Sequence, residues 1–197
     1  MIAIVVGIVL VGVSLAVMIR PSALPASQTK VIVYEPFTTN GIALGITVTS
    51  RVAGSCWEGS IASNRPDAWR CTVQNIIYDP CFSDPYGFNE VACPTAAFPN
   101  QVVIINLTRP LPYSTQNSST NTQGVLTPWA YQITNGSHCG VSTGTTIAIA
   151  GLAVWGSCAN GDQLIGTVNR NTHLWTVLMK SPDASSLTRV GIEKVWE

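Results

Sequence analysis

Charge is what this chain has least of. Only 10% of its 197 residues are Asp, Glu, Lys or Arg, and ten basic residues cancel ten acidic ones. With no basic stripe there is no electrostatic footprint for nucleic acid, which is therefore not expected as a partner. Histidine is nearly missing as well. A nucleophile–histidine triad has only His138 and His173 to draw on, and a triad is defined by geometry that spacing does not supply. No Cys-x-x-Cys pair occurs, and His138 beside Cys139 would face the opposite side of a strand, which argues against zinc. Nothing picks out two acids for one cleft, as a paired-carboxylate glycosidase needs. On these grounds no catalytic residue, metal ligand or cofactor is assigned.

What the chain does have begins at its N-terminus. Residues Ile2 to Ile19 carry no charge, and about 20 apolar residues are needed to cross a bilayer as a helix. Residues 1–20 are read as a transmembrane anchor. A cleaved signal peptide is the rival, but the segment lacks a basic start, and Pro25 spoils the best small-x-small cleavage site. Arg20 and Lys30 follow the segment, so a strict positive-inside count places the rest of the chain in the cytoplasm. Cysteine content argues the opposite and is given more weight. Small residues at Ala3 and Gly7, and at Gly12 and Ala16, have helix-packing spacing, which ordinary usage explains equally well. A linker at 21–30 leads to a domain at 31–197, large enough to bury a core.

Short runs of Val, Ile, Thr and aromatics bounded by Gly, Pro or Asn dominate that domain and predict a mainly β fold, sandwich or barrel-like. The clearest runs are Val31 to Phe37, Ala43 to Ser50, Gln101 to Leu107, Trp129 to Thr134, Thr145 to Ala150, Ala153 to Gly156, Leu164 to Val168, His173 to Met179 and Thr188 to Trp196. In the last, Val190, Ile192 and Trp196 fall on one face and Arg189 and Glu193 on the other. Asn135-Gly136 and Asn160-Gly161 predict hairpins. Residues 109–124 are polar and nearly uncharged, a long exposed loop. Pro66 and Asp67 suit the start of a short helical turn over Arg65 to Thr72.

Six cysteines, Cys56, Cys71, Cys81, Cys93, Cys139 and Cys158, place the domain in an oxidising compartment. Six cysteines permit 15 connectivities. Nearest-neighbour pairing is the simplest, since the polar loop leaves an even count on each side, and it gives separations of 15, 12 and 19 residues. The block Ser55-Cys56-Trp57-Glu58-Gly59-Ser60, then Asp67-Ala68-Trp69-Arg70-Cys71, then Asp79-Pro80-Cys81-Phe82 resembles an extracytoplasmic domain of uncharacterised actinobacterial-type secreted proteins and lipoproteins. Val91-Ala92-Cys93-Pro94, Pro128-Trp129, Trp155-Gly156-Ser157-Cys158 and His173-Leu174-Trp175 continue the resemblance, over roughly 43–197. It implies architecture and compartment only. Lipoprotein members carry a lipidation cysteine after the signal; here the first cysteine is Cys56, so a lipid anchor is not expected.

Trp57, Trp69, Tyr78, Phe82, Tyr86 and Phe88 crowd the first four cysteines, and their first reading is as core rings covering disulfides. The functional reading is an aromatic platform for a sugar or envelope polymer, with Trp57 and Tyr86 the rings least committed to a core. Arg65 and Asp67 offer partners for a carboxylate or for sugar hydroxyls, although both also suit local turn pairing. Trp57, Arg65, Asp67, Trp69 and Tyr86 are the candidate binding residues. The chain is therefore read as a membrane-anchored, extracytoplasmic domain that binds an envelope polymer or protein or serves as an envelope component. An envelope hydrolase using a scattered acid or His138, and a subunit of a surface assembly, are the alternatives.

Overall fold

A computed structural model describes residues 27–87, 89–95, 98–112, 127–145 and 147–197. The expected anchor, most of the linker, Phe88 and the polar loop beyond residue 112 lie outside these residues. Among the described residues all regular structure is β, and no helix is long and apolar enough to cross a membrane.

The chain enters through β1 (Lys30–Ile32) and a small arm, β2 (Phe37–Thr38) and β3 (Gly41–Ile42). Next come β4 (Thr47–Gly59), β5 (Ala68–Val73), β6 (Ile76–Ser83), β7 (Glu90–Thr95) and β8 (Phe98–Leu107), which close into a barrel. Each strand runs antiparallel to the one before it, and β8 returns parallel to β4, from Thr47 opposite Gln101 to Gly54 opposite Leu107. The apolar run Val102 to Ile105 shows why β8 takes this place. Val103 and Ile105 point into the barrel with Cys56, Trp69 and Val91, whereas Val102 and Ile104 join Phe82, Ala92 and Trp129 outside it. A strand buried on both faces reads as an unbroken apolar run.

A second ring follows: β9 (Ala130–Ile133), β10 (His138–Val141), the short β11 (Ala148–Ile149), β12 (Leu152–Cys158), β13 (Gln163–Asn169), β14 (Thr176–Lys180) and β15 (Thr188–Trp196). Its sheet closes because β15 pairs back onto β9. β14 covers one edge of the first half of β15, and β1 lies parallel to its last residues, Lys194 to Trp196. Tyr131, Ile133, Leu164, Val177, Ile192 and Val195 fill the interior. Between the barrels Tyr34, Phe82 and Trp129 meet with ring centroids 5.0, 5.1 and 5.6 Å apart. Rings this large dominate the burial energy of such a seam, with about 0.5–1.5 kcal/mol per pair beyond area alone.

All three disulfides join neighbouring strands. Cys56–Cys71 ties β4 to β5, Cys81–Cys93 ties β6 to β7, and Cys139–Cys158 ties β10 to β12, so the nearest-neighbour pairing holds. Both predicted hairpins form. Gly136 and Gly161 each take φ of +87°, and Asn135 and Asn160 accept through Oδ1 from the backbone N–H two residues on.

Two expectations are corrected. Pro66 and Asp67 form a turn, but no helix follows, because Ala68 to Val73 is β5, paired on both sides to β4 and β6. In β15 the pairing with β9 slips between Ile192 and Lys194. A bulge adds one residue and reverses the alternation, so that Val195 follows Ile192 into the ring while Trp196 packs against the seam cluster.

Candidate functional site

The Arg65-Pro66-Asp67 turn is set by what Arg65 reaches. Its Nε and Nη2 donate to Asp67 Oδ1 and Oδ2 at 2.9 and 2.6 Å, a bidentate pair. Nη1 donates to the carbonyl of Tyr34 and, at 3.2 Å, to that of Glu197. The guanidinium lies 4.8 Å over the Phe82 ring. Four of its five N–H donors can be committed this way, so Arg65 serves chiefly to join the first strands, the last residue and the first barrel. Tyr34 is buried at the same point, and burial pushes its phenol above its ordinary pKa despite the nearby Arg65 charge.

Above this pair lies a cleft of about 200 Å³. Pro36 and Phe37 form one wall and Pro85 and Tyr86 another, with Glu35 and Ser83 beside them. Tyr86 stands on the loop between β6 and β7, where its N–H donates to Asp84 Oδ1 at 2.9 Å, and its side chain is half exposed. The Asp67 side chain is 37% exposed. Its two oxygens carry more lone pairs than Arg65 uses, leaving acceptor capacity toward hydroxyl groups. The cleft thus offers carboxylates, a phenol and an open ring face.

Arg65, Asp67 and Tyr86 are therefore brought together, and the other two candidates are not. Trp69 is buried inside the first barrel, beside the disulfides, where its ring serves the core. Trp57 is partly exposed beneath Arg70, whose guanidinium sits 5.4 Å from the indole. Arg70 is held by Glu58 at 2.8 Å and by Asp79 at 3.1 Å. Asp79 is almost wholly enclosed and also accepts from Ser60 Oγ at 2.5 Å and the Ile61 N–H at 3.3 Å. Burial raises its pKa, with the Ser60 hydrogen bond the largest of the opposing effects. This carboxyl is engaged in joining β6 to the loop after β4 and does not line the cleft.

Glu35, Pro36, Ser83 and Pro85 had no motif to announce them. The sequence hints at them only through Pro36, which breaks the run Val31 to Phe37, and through Asp84-Pro85, a pair that favours a turn. Gly140-Val141-Ser142-Thr143-Gly144 has the Gly-x-Ser-x-Gly spacing. A nucleophile elbow needs a sharp strand-to-helix turn. Here Ser142 leaves β10 with its N–H donating to the Trp155 carbonyl at 2.8 Å, and β11 follows. His138 stacks on Phe98 with centroids 5.3 Å apart, and its buried Nδ1 meets no hydrogen-bond partner among the described residues. Sγ atoms of Cys71, Cys81 and Cys93 lie within 4.8 Å of one another, but all three are in disulfides and have no thiolate to give a metal. No family model matches the chain, and no curated protein or solved structure shows significant similarity to it.

Proposed function

We propose that the chain is an anchored extracytoplasmic binding domain whose cleft at Glu35, Asp67 and Tyr86 holds one ring of an envelope polymer at a time. The observation that carries this is the convergence of an exposed Tyr86 ring with two carboxylate side chains on one concave surface. Polyol recognition needs that combination, an apolar face for the ring and acceptors for its hydroxyls. At about 200 Å³ the cleft is smaller than the ~300–1,000 Å³ of drug-sized pockets, which suits a single sugar unit. Three disulfides and the uncharged run Ile2 to Ile19 support an exported, membrane-attached setting. The cysteine and tryptophan motifs resembling actinobacterial-type envelope proteins point the same way.

The test is co-sedimentation of the detergent-solubilised full chain with insoluble peptidoglycan. Tyr86→Ala removes the open ring without touching the core and weakens retention by about two- to tenfold, the worth of one aromatic contact. Asp67→Asn weakens it further. Retention that is absent, or indifferent to both substitutions, sinks the proposal.

A further inference from the structure

A wider cleft, about 680 Å³, lies where the linker meets the second barrel. Gln28, Arg170, Asn171, Thr172, His173 and Trp175 line it, and no carboxylate of the described residues does. The Arg170 guanidinium rests 4.6 Å from the Trp175 ring centroid, is exposed, and forms no salt bridge among the described residues. Glu197 is the acid that feels it: burial raises the Glu197 pKa and the Arg170 charge opposes that rise. A guanidinium over an indole, on an exposed residue with no salt-bridge partner among the described residues, has donors to offer phosphate or carboxylate oxygens.

The chain's entry is fastened to this same cleft. Thr29 is buried; its Oγ1 donates to the Ile192 carbonyl at 2.6 Å and accepts from the Trp175 N–H at 2.8 Å, while its own N–H donates to the His173 carbonyl at 2.9 Å. Gln28 is thus held at the rim, with exposed Lys30 just beyond it. From Arg20 to Gln28 the chain can span at most about 30 Å, so an anchor at 2–19 keeps the cleft near the bilayer surface.

We propose that this cleft seats the phosphate of an anionic phospholipid headgroup, in the leaflet from which the linker emerges. The inference rests on the anchored reading above. Its test is hydrogen exchange of the full chain in nanodiscs of phosphatidylglycerol or of phosphatidylcholine, with alkaline carbonate extraction of the same chain from vesicles. The expected result is a chain that resists extraction and whose segment Val168 to Trp175 exchanges more slowly in phosphatidylglycerol. Arg170→Gln removes about fivefold of that slowing, the worth of one basic residue at an anionic surface, and Arg170→Lys, which keeps the charge but not the fork, restores only part of it; unchanged exchange in the barrel strands verifies that each variant is folded. Equal protection in both lipids overturns the headgroup site and leaves the anchor standing. Equal slowing by inorganic phosphate added to phosphatidylcholine discs overturns the lipid as ligand. Release by carbonate overturns anchor and headgroup site together.

Discussion

A Cβ built on Gly54 would lie 2.6 Å from the Thr72 carbonyl oxygen and 2.8 Å from Ile105 Cγ2, so β4 approaches β5 and β8 there as only glycine allows. Gly54→Ala forces backbone to move and is expected to cost about 1–3 kcal/mol, read as a lower urea midpoint. Gly144→Ala meets no atom within 4 Å and leaves the midpoint unchanged. Asp79 makes a prediction in pH. Its folded pKa is raised above the ordinary 3.8, chiefly by burial, so the folded state binds its proton more tightly than the unfolded state does. The stability this contributes is fully present below 3.8 and is lost as pH rises through the raised folded value. Urea midpoints of the native chain should fall relative to those of Asp79→Asn across that window. Parallel pH profiles of the two proteins would show that Asp79 is not the group responsible.

Among the elements, β8 carries burial on both faces. Ile104 belongs to the seam and Ile105 to the barrel interior, and both are fully buried. Ile104→Ala and Ile105→Ala are each expected to cost about 2–5 kcal/mol in equilibrium unfolding, whereas in a half-buried strand one of two neighbours would be nearly neutral. Such apolar runs were legible: β15 and much of β8, β9, β12 and β13 follow from their Val, Ile, Leu and aromatic content. β5, β6 and β7 were not, because Pro80, Pro94, Asp79 and the cysteines interrupt any alternation. Their hairpins are held by Cys56–Cys71 and Cys81–Cys93 and by a shared interior, terms that no local window contains. The bulge after Ile192 was hidden for a similar reason, since register is decided by the partner strand. At the cleft, Arg65, Asp67 and Tyr86 were legible as chemistry, yet Ser83 joins them only through the pairing of β6 with β5 and Glu35 only through the bond from Arg65 to the Tyr34 carbonyl. Removing one staple tests its share: Cys139→Ala with Cys158→Ala opens a loop of 19 residues and should cost about 3 kcal/mol, measured by urea unfolding.

At the scale of the molecule, the described residues build two closed sheets joined at an aromatic seam, with Arg65 binding the carbonyls of Tyr34 and Glu197 while paired to Asp67. Arg65→Lys keeps the charge but not the fork; a loss of about 1.5–3 kcal/mol is expected from the charged hydrogen bonds forgone, seen as a lower thermal midpoint. Both clefts open on elements that reach this junction or the linker: the carboxylate and tyrosine cleft at the turn before β5, the arginine and tryptophan cleft where Thr29 is fastened. The proposed reading, an anchored domain with one cleft for an envelope polymer and one for a lipid headgroup, requires the domain to lie outside the reducing cytoplasm. The most direct measurement is peptide mapping of the chain taken from native membranes, alkylated before any reduction. The account predicts three linked pairs, Cys56–Cys71, Cys81–Cys93 and Cys139–Cys158, with none of the six alkylated. Six alkylated thiols would place the domain in a reducing compartment and contradict it.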